Sequence, residues 1–305
     1  MTLVSSALHL AQSRAETLSL LIVLGCVLGE LLARGPFTQA LATLSTITHK
    51  LGHKLDREHR AIATRVYRGI IAVLMLVLPA IALAAALAQP IAWVKLLGAL
   101  LIITWVGYCM APLSSIGTLR CAGRDGVPLS LPNLPYLFAD SHAVIRHLIT
   151  TRLEAFAVGV VGACFWYVAG GLVGMAMYLA LAGAYRAFQH RAAFGWAARS
   201  LFQLVNAIPA ILARALIFLA ALFTPRTRPL RGLREPTVLA AAATTLDIAI
   251  GGPTPCGERP WVGAGTARLT PAHLTRAMQL IAVATVLLVL MLAHQHLYNL
   301  LTKFI

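Results

Sequence analysis

The chain of 305 residues has few charged side chains, since only 11% of its residues are Asp, Glu, Lys or Arg. Acidic residues are especially scarce, with 10 Asp and Glu against 25 Lys and Arg, whereas 59% of the residues are hydrophobic. A soluble globular domain typically has about 25% charged residues, so this composition excludes that class of protein. We therefore predict an all-α polytopic integral membrane protein.

Several motifs that carry chemistry are also missing. The 5 cysteines include no CxxC pair, so the sequence indicates neither a disulfide framework nor a zinc site. It contains neither the HExxH metal motif nor the GxxxxGK[ST] phosphate-binding loop. Aromatic residues do not alternate with lysines, and nucleic acid is therefore not a predicted partner. We predict no bound metal and no covalently held cofactor.

Long apolar runs divide the chain into about six predicted transmembrane helices, because about 20 helical residues cross the hydrocarbon core of a bilayer. The 155–183 run is rich in glycine and longer than one span needs, so it is either one tilted helix or a span with a re-entrant segment. We treat residues 1–305 as a single membrane domain. The predicted spans cover residues 17–33, 70–90, 93–112, 155–183, 204–224 and 276–296.

Basic residues are concentrated in three of the predicted loops, which cover residues 34–69, 113–153 and 225–275. Such loops usually face the cytoplasm, so we predict a multi-pass protein of the inner (cytoplasmic) membrane. With six spans both termini would lie outside, but hydropathy alone leaves their orientation open. Anionic lipid headgroups or a phosphorylated substrate would suit the basic loops.

One carboxylate stands at the start of the fourth predicted span, where Glu154 precedes a long apolar run. A carboxylate at the edge of the hydrocarbon is costly unless it is paired or hydrated. Two interpretations follow. Glu154 is either an ion-pair anchor with Arg146 or Arg152, or part of a polar site.

Three segments, taken in order and spacing, resemble the CobD/CbiB family of cobalamin biosynthesis, the membrane-bound adenosylcobinamide-phosphate synthases. The resemblance extends from about Asp140 to Met278. The segments are DSHAVIRHLITTRLEAFAVGVVGACFWYVAGGLVG from Asp140, FGWAARSLFQLVNAIPA from Phe194 and IGGPTPCGERPWVGAGTARLTPAHLTRAM from Ile250.

The resemblance implies an activity, partners and site residues. The implied activity is the ATP-dependent formation of an amide bond between adenosylcobyric acid and aminopropanol or its phosphate, with ATP and Mg²⁺ as co-substrates only. The implied partners are the corrinoid substrate or other enzymes of the cobalamin pathway, together with membrane lipids. The implied catalytic residue is Glu154. The implied substrate-binding positions are Asp140, His142, Arg146, Asn206, Gly251, Gly252 and Pro253.

The sequence departs from the family pattern at most of its acidic and amide positions. After Glu154 the family continues with Asn and Asp, where this chain has Ala155 and Val158. A family pair of aspartates is replaced by Phe202 and Gln203. The alternative to the enzyme is therefore a non-catalytic scaffold or corrinoid-binding paralogue of the family. An unrelated transporter is a further alternative that depends on the number of spans alone.

Overall fold

A computed structural model describes residues 14, 17–26, 36–57, 60–88, 92–110, 141–254 and 257–304. Helices dominate the described part of the chain, and a β-hairpin interrupts them near its C-terminal end. The elements are α1 (Thr17–Cys26), α2 (Pro36–Leu55), α3 (Ile62–Leu87), α4 (Ala92–Met110), α5 (Ser141–Glu154), a π-helical segment (Ala155–Gly162), α6 (Ala163–Phe188), α7 (Trp196–Phe223), α8 (Pro229–Gly232), α9 (Val238–Leu246), β1 (Ile250–Thr254), β2 (Gly257–Val262) and α10 (Pro271–Phe304).

The helices confirm the predicted all-α membrane fold. Among the described residues, 4 helices are long and apolar enough to cross a membrane. Shorter apolar helices, Thr17–Cys26 and Leu96–Gly107, lie within two further predicted spans, although residues 27–33 are outside the described part of the chain. The four long helices are Ile62–Leu87, His142–Phe188, Trp196–Phe223 and Pro271–His294.

The fourth predicted span is part of a much longer helix than hydropathy indicated. A helix of 47 residues runs from His142 to Phe188, so residues 142–153, which we assigned to a loop, are helical. Its middle section, Ala155–Gly162, has π-helical hydrogen bonding, a rare local widening that is frequent at functional sites. A backbone break follows at Gly171 (φ 65°, ψ −154°).

The chain divides into two compact units. The first unit contains residues 1–108, 158–209 and 292–305, and the second contains residues 109–157 and 210–291. The single membrane domain stays a prediction, and the two units are described separately below.

Aromatic side chains form the core of the first unit, where α3 packs against α6 and α2 packs against both helices. Phe188 and Phe194 meet edge to face with ring centroids 5.1 Å apart. Phe202 stacks on Tyr185 at 4.6 Å and lies 5.9 Å from the ring of Tyr178. Large rigid rings bury much apolar area with few rotatable bonds, so they favour one arrangement of these helices.

Tyr178 also explains why the π-helical segment ends in a glycine. A Cβ atom at Gly162 would collide with the Tyr178 hydroxyl group. That hydroxyl donates a 2.7 Å hydrogen bond to Oδ1 of Asn206. Gly162 therefore permits the approach of a ring that is fully buried.

A buried ion-pair group joins the end of α2 to the rest of the first unit. Asp56, whose side chain is only 4% exposed, accepts hydrogen bonds from Nε and NH2 of Arg65 at 2.9 and 3.3 Å. NH1 of Arg191 reaches the same carboxylate at 3.4 Å and the Gly52 carbonyl oxygen at 3.0 Å. We call Asp56, Arg65 and Arg191 the Asp56 cluster.

The second unit combines a small helical layer with the β-hairpin. Helix α5 packs against β1 and α9, and α9 packs against α8 and β2. Helix α9 begins where the Thr237 side chain accepts a hydrogen bond from the Ala240 N–H at 3.1 Å. It ends at Asp247, whose N–H reaches the carbonyl oxygens of Ala243 and Thr244. The left-handed backbone of Asp247 (φ 57°) lets the next N–H, that of Ile248, reach the Ala243 carbonyl oxygen at 3.0 Å.

Strands β1 and β2 pair antiparallel, with Ile250 opposite Val262 and Gly252 opposite Arg259. A register shift between Ile250 and Gly252 adds an irregularity to β1. The sequence analysis did not predict this hairpin. We predicted only a loop over residues 225–275, which include this region.

Candidate functional site

Helix α5 carries three of the implied site residues. His142 and Arg146 are four residues apart, which brings their side chains to the same side of an α-helix, and Glu154 lies about two turns further along the helix. This helix packs against strand β1 of the hairpin, which carries the implied glycines. The second unit therefore brings α5 and the hairpin together in one site. Asp140, which precedes the helix, lies outside the described residues.

The first half of α5 holds the segment that leads into α10. Nδ1 of His142 donates to the Leu269 carbonyl oxygen at 2.7 Å, because a carbonyl can only accept. NH1 of Arg146 donates to the Ala267 carbonyl oxygen at 2.9 Å. Both side chains therefore satisfy backbone acceptors of this segment, which is a structural role for two residues that we expected to bind substrate.

Arg146 makes a second contact with the hairpin. Its guanidinium carbon lies 5.3 Å from the ring centroid of Trp261, within the range of a cation–π interaction. The Arg146 residue is only 9% exposed, and its Nε has no hydrogen-bond partner among the described residues. Arg146 thus packs against the Trp261 ring, while the Trp261 residue itself stays 53% exposed.

Glu154 forms an ion pair across α5 and the hairpin. NH1 of Arg259 lies 3.2 Å from Oε1 of Glu154, and the two side chains are 41% and 35% exposed respectively. The expected anchors were Arg146 and Arg152, but Arg146 contacts Ala267 instead and Arg152 reaches the Cys109 carbonyl oxygen at 3.4 Å. Arg259 stands 105 residues away in sequence, and nothing in the local pattern indicated it.

Two glycines of β1 shape the hairpin around these contacts. Gly251 (φ 110°) and Gly252 (φ 78°) adopt backbone conformations that L-residues rarely take. A Cβ at Gly251 would meet the Pro260 carbonyl oxygen, and a Cβ at Gly252 would enter the Trp261 ring. The glycines therefore position Trp261. Pro253 pairs with Glu258 in the hairpin register, and its side chain is outside what the structure describes.

The first unit contains Phe202, which stands where the resembled family has an aspartate, and Asn206, an implied substrate-binding residue. Phe202 is buried in the aromatic core against Tyr185 and Tyr178. Asn206 accepts the Tyr178 hydroxyl hydrogen bond at 2.7 Å. The side chain at position 202 thus packs in the aromatic core, and the side chain of Asn206 is hydrogen-bonded to Tyr178 within the same unit.

The described side chains form no metal-ligand cluster for the magnesium that accompanies ATP in the implied reaction. Mg²⁺ is usually held by one or two carboxylates together with phosphate oxygens and water. In the described ranges, no three His, Cys, Asp or Glu side chains come close enough together to hold a metal ion. Glu154, the acidic residue of α5, has its carboxylate in the ion pair with Arg259.

The region that forms this site is similar in sequence to known proteins. A family profile described as CobD/Cbib protein matches residues 138–281. The cobalamin biosynthesis protein CobD of Rhizobium meliloti (strain 1021) is 32% identical over 172 residues, which is 52% of this chain and 52% of that relative. CobD of Rhodobacter capsulatus is 31% identical over 157 residues, which is 46% of this chain and 50% of the relative.

A third relative, the cobalamin biosynthesis protein CobD of a Sinorhizobium species, is 32% identical over 184 residues, covering 55% of this chain and 57% of that protein. The chain therefore spans about half the length of the curated relatives it matches. No solved structure matches it. Residues 138–281, which contain α5 and the hairpin, are therefore the part of the chain that is similar to the CobD/CbiB family.

Proposed function

We propose that this chain acts in cobalamin biosynthesis as a membrane protein that binds a corrinoid and does not itself form the amide bond. The names of its relatives support the pathway, since each is called a cobalamin biosynthesis protein. The long apolar helices support a membrane location. The basic loops favour the inner membrane with those loops on the cytoplasmic side.

The observation that carries the proposal is the ion pair between Glu154 and Arg259. A ligase of the implied kind needs carboxylates that hold Mg²⁺ or move protons. Here the Glu154 carboxylate is paired with a guanidinium, and Ala155 and Val158 stand at the family's next polar positions. The amide-forming enzyme is the alternative, and the same preparation of protein tests both.

The hairpin provides a surface that suits a corrinoid. Trp261 is 53% exposed and Arg259 keeps 41% of its side chain exposed. The two residues are two apart on strand β2, so their side chains leave the same face of the hairpin. A corrinoid has a flat macrocycle edged with amide and carboxylate groups. In the proposed complex the indole ring packs against the macrocycle and the guanidinium binds an edge oxygen.

Equilibrium dialysis tests the corrinoid proposal. Protein in lipid nanodiscs is dialysed against adenosylcobyric acid, and the bound corrinoid is measured by its visible absorbance. Trp261→Ala should weaken binding about thirtyfold, because truncating an aromatic residue at the centre of an interface commonly costs about 2 kcal/mol.

Trp196→Ala is the matched control, since Trp196 is also 53% exposed but belongs to the first unit. Its dissociation constant should stay within twofold of the unsubstituted protein. If the unsubstituted protein showed no saturable binding of adenosylcobyric acid, the proposal would be overturned. Equal weakening by both substitutions would show that the hairpin is not the binding surface.

A further inference from the structure

A dense group of arginines follows the membrane helix α7. The helix ends at Phe223, and four arginines occur within the next eleven residues of the second unit. We call Arg226, Arg228, Arg231 and Arg234 the arginine segment. Basic residues directly beside a span are attracted to anionic lipid headgroups, and the attraction falls off within about 10 Å.

Two members of the arginine segment line an open cleft of about 400 Å³. Arg231 and Arg234 are exposed, and neither side chain has a hydrogen-bond or ion-pair partner among the described residues. Arg228 is different, because it pairs with the Asp247 carboxylate at 3.4 Å. The other acidic side chain of the cleft, Glu235, accepts the Thr244 hydroxyl hydrogen bond at 3.3 Å.

The charge of the cleft therefore favours an anion. The positive charge of Arg228 offsets the negative charge of Asp247. One carboxylate, that of Glu235, then remains beside the two guanidinium groups of Arg231 and Arg234. A guanidinium carries five N–H donors in a planar fork that matches phosphate oxygens. Two such groups with no protein partner provide more donors than the cleft itself uses.

Exposed leucines alternate with these arginines. Leu230 is 75% exposed and Leu233 is 54% exposed, so the short helix α8 presents apolar and basic side chains to its surroundings together. Leu233 also borders an apolar cavity of about 160 Å³ between α7 and α9, which Ile211 and Phe218 line as well. This combination is typical of a segment at the level of lipid headgroups.

We propose that the arginine segment binds the phosphate group of an anionic phospholipid, with Leu230 and Leu233 in the acyl region of the same leaflet. Arg231 and Arg234 donate to the phosphate oxygens from the cleft. The proposal goes beyond the corrinoid function and does not depend on it, because it concerns different residues and a different ligand.

Native mass spectrometry in neutral detergent measures the dissociation constant for phosphatidylglycerol. Arg231→Gln with Arg234→Gln should weaken binding about thirtyfold, since each arginine near an anionic surface contributes about 1 kcal/mol. Each single variant should weaken binding about fivefold, which keeps the test available if the double variant fails to fold. Unchanged binding in these variants would overturn the proposal.

The matched control removes two other exposed arginines beside a span. Arg57 and Arg60 precede α3, which begins at Ile62, and neither side chain has a partner among the described residues. Arg57→Gln with Arg60→Gln should leave the dissociation constant within twofold. An equal loss in this control would mean that general charge, and not a site at α8, attracts the lipid.

A second arm separates a lipid from a soluble phosphate. Leu230→Gln with Leu233→Gln should weaken phosphatidylglycerol binding at least fivefold, because it removes the contact with the acyl region. Glycerol phosphate, which has the phosphate without acyl chains, should not displace the lipid at equal concentration. Displacement by glycerol phosphate, or no effect of the leucine substitutions, would contradict a lipid ligand.

Discussion

Asp56 lies between two arginines in the first unit, and its replacement by asparagine removes the negative charge while nearly preserving shape. Arg65 approaches the carboxylate at 2.9 and 3.3 Å and Arg191 at 3.4 Å. The arginine side chains are only 19% and 18% exposed, so water would solvate the released cations poorly. Breaking a buried ion pair by removing one partner costs about 3–5 kcal/mol.

The expected loss of folding free energy for Asp56→Asn is below this range, at about 2–3 kcal/mol, because the asparagine carbonyl still accepts one hydrogen bond. At roughly 2–4 °C for each kcal/mol, the melting temperature should fall by roughly 4–12 °C. The assay heats detergent-solubilised protein in steps and measures the remaining monodisperse fraction by size-exclusion chromatography with fluorescence detection.

Asp247→Asn is the matched control, because Asp247 pairs with Arg228 while both side chains are about half exposed. Exposed ion pairs contribute about 0–1 kcal/mol, and asparagine tolerates the left-handed backbone of this position. The control should therefore melt within about 3 °C of the unsubstituted protein. If Asp56→Asn melted no earlier than Asp247→Asn, the assigned role of the Asp56 cluster would be refuted.

Further stability predictions use the same melting assay. Tyr178→Phe should destabilise by about 1 kcal/mol, because Oδ1 of Asn206 loses its donor; no change in melting would contradict the hydrogen bond. Gly162→Ala should cost about 1–3 kcal/mol through its clash with Tyr178, and adding Tyr178→Phe should recover part of that loss, whereas strict additivity would refute the contact. Glu154→Gln should change stability by less than about 1 kcal/mol, since its ion pair with Arg259 is partly exposed; a larger loss would show a buried role.

The long membrane helices could be predicted from hydropathy because their apolar runs are much longer than a soluble helix needs. The same signal could not extend the fourth span back to His142, since the polar residues of α5 look like a loop although their backbone is helical. The hairpin escaped prediction for another reason. Ile250–Thr254 contains Gly251, Gly252 and a proline instead of alternating apolar and polar residues.

The candidate site could be predicted only in part. Sequence resemblance named His142, Arg146 and Glu154 as site residues together with the glycines of β1, and the second unit brings α5 and β1 into contact. It could not predict their partners, because the contact of Arg146 with Ala267 and that of Glu154 with Arg259 join residues more than 100 positions apart. Such contacts depend on tertiary packing, which local spacing does not encode.

The most direct test of the central claim follows the fate of a bound corrinoid. Purified protein in nanodiscs is incubated with adenosylcobyric acid, ATP, Mg²⁺ and aminopropanol phosphate, and the corrinoid retained on the protein is identified by mass spectrometry. We predict that adenosylcobyric acid is retained and recovered unchanged, with no ATP-dependent amide product. Formation of adenosylcobinamide phosphate that Glu154→Gln abolishes would contradict the claim and establish the chain as an amide-forming enzyme.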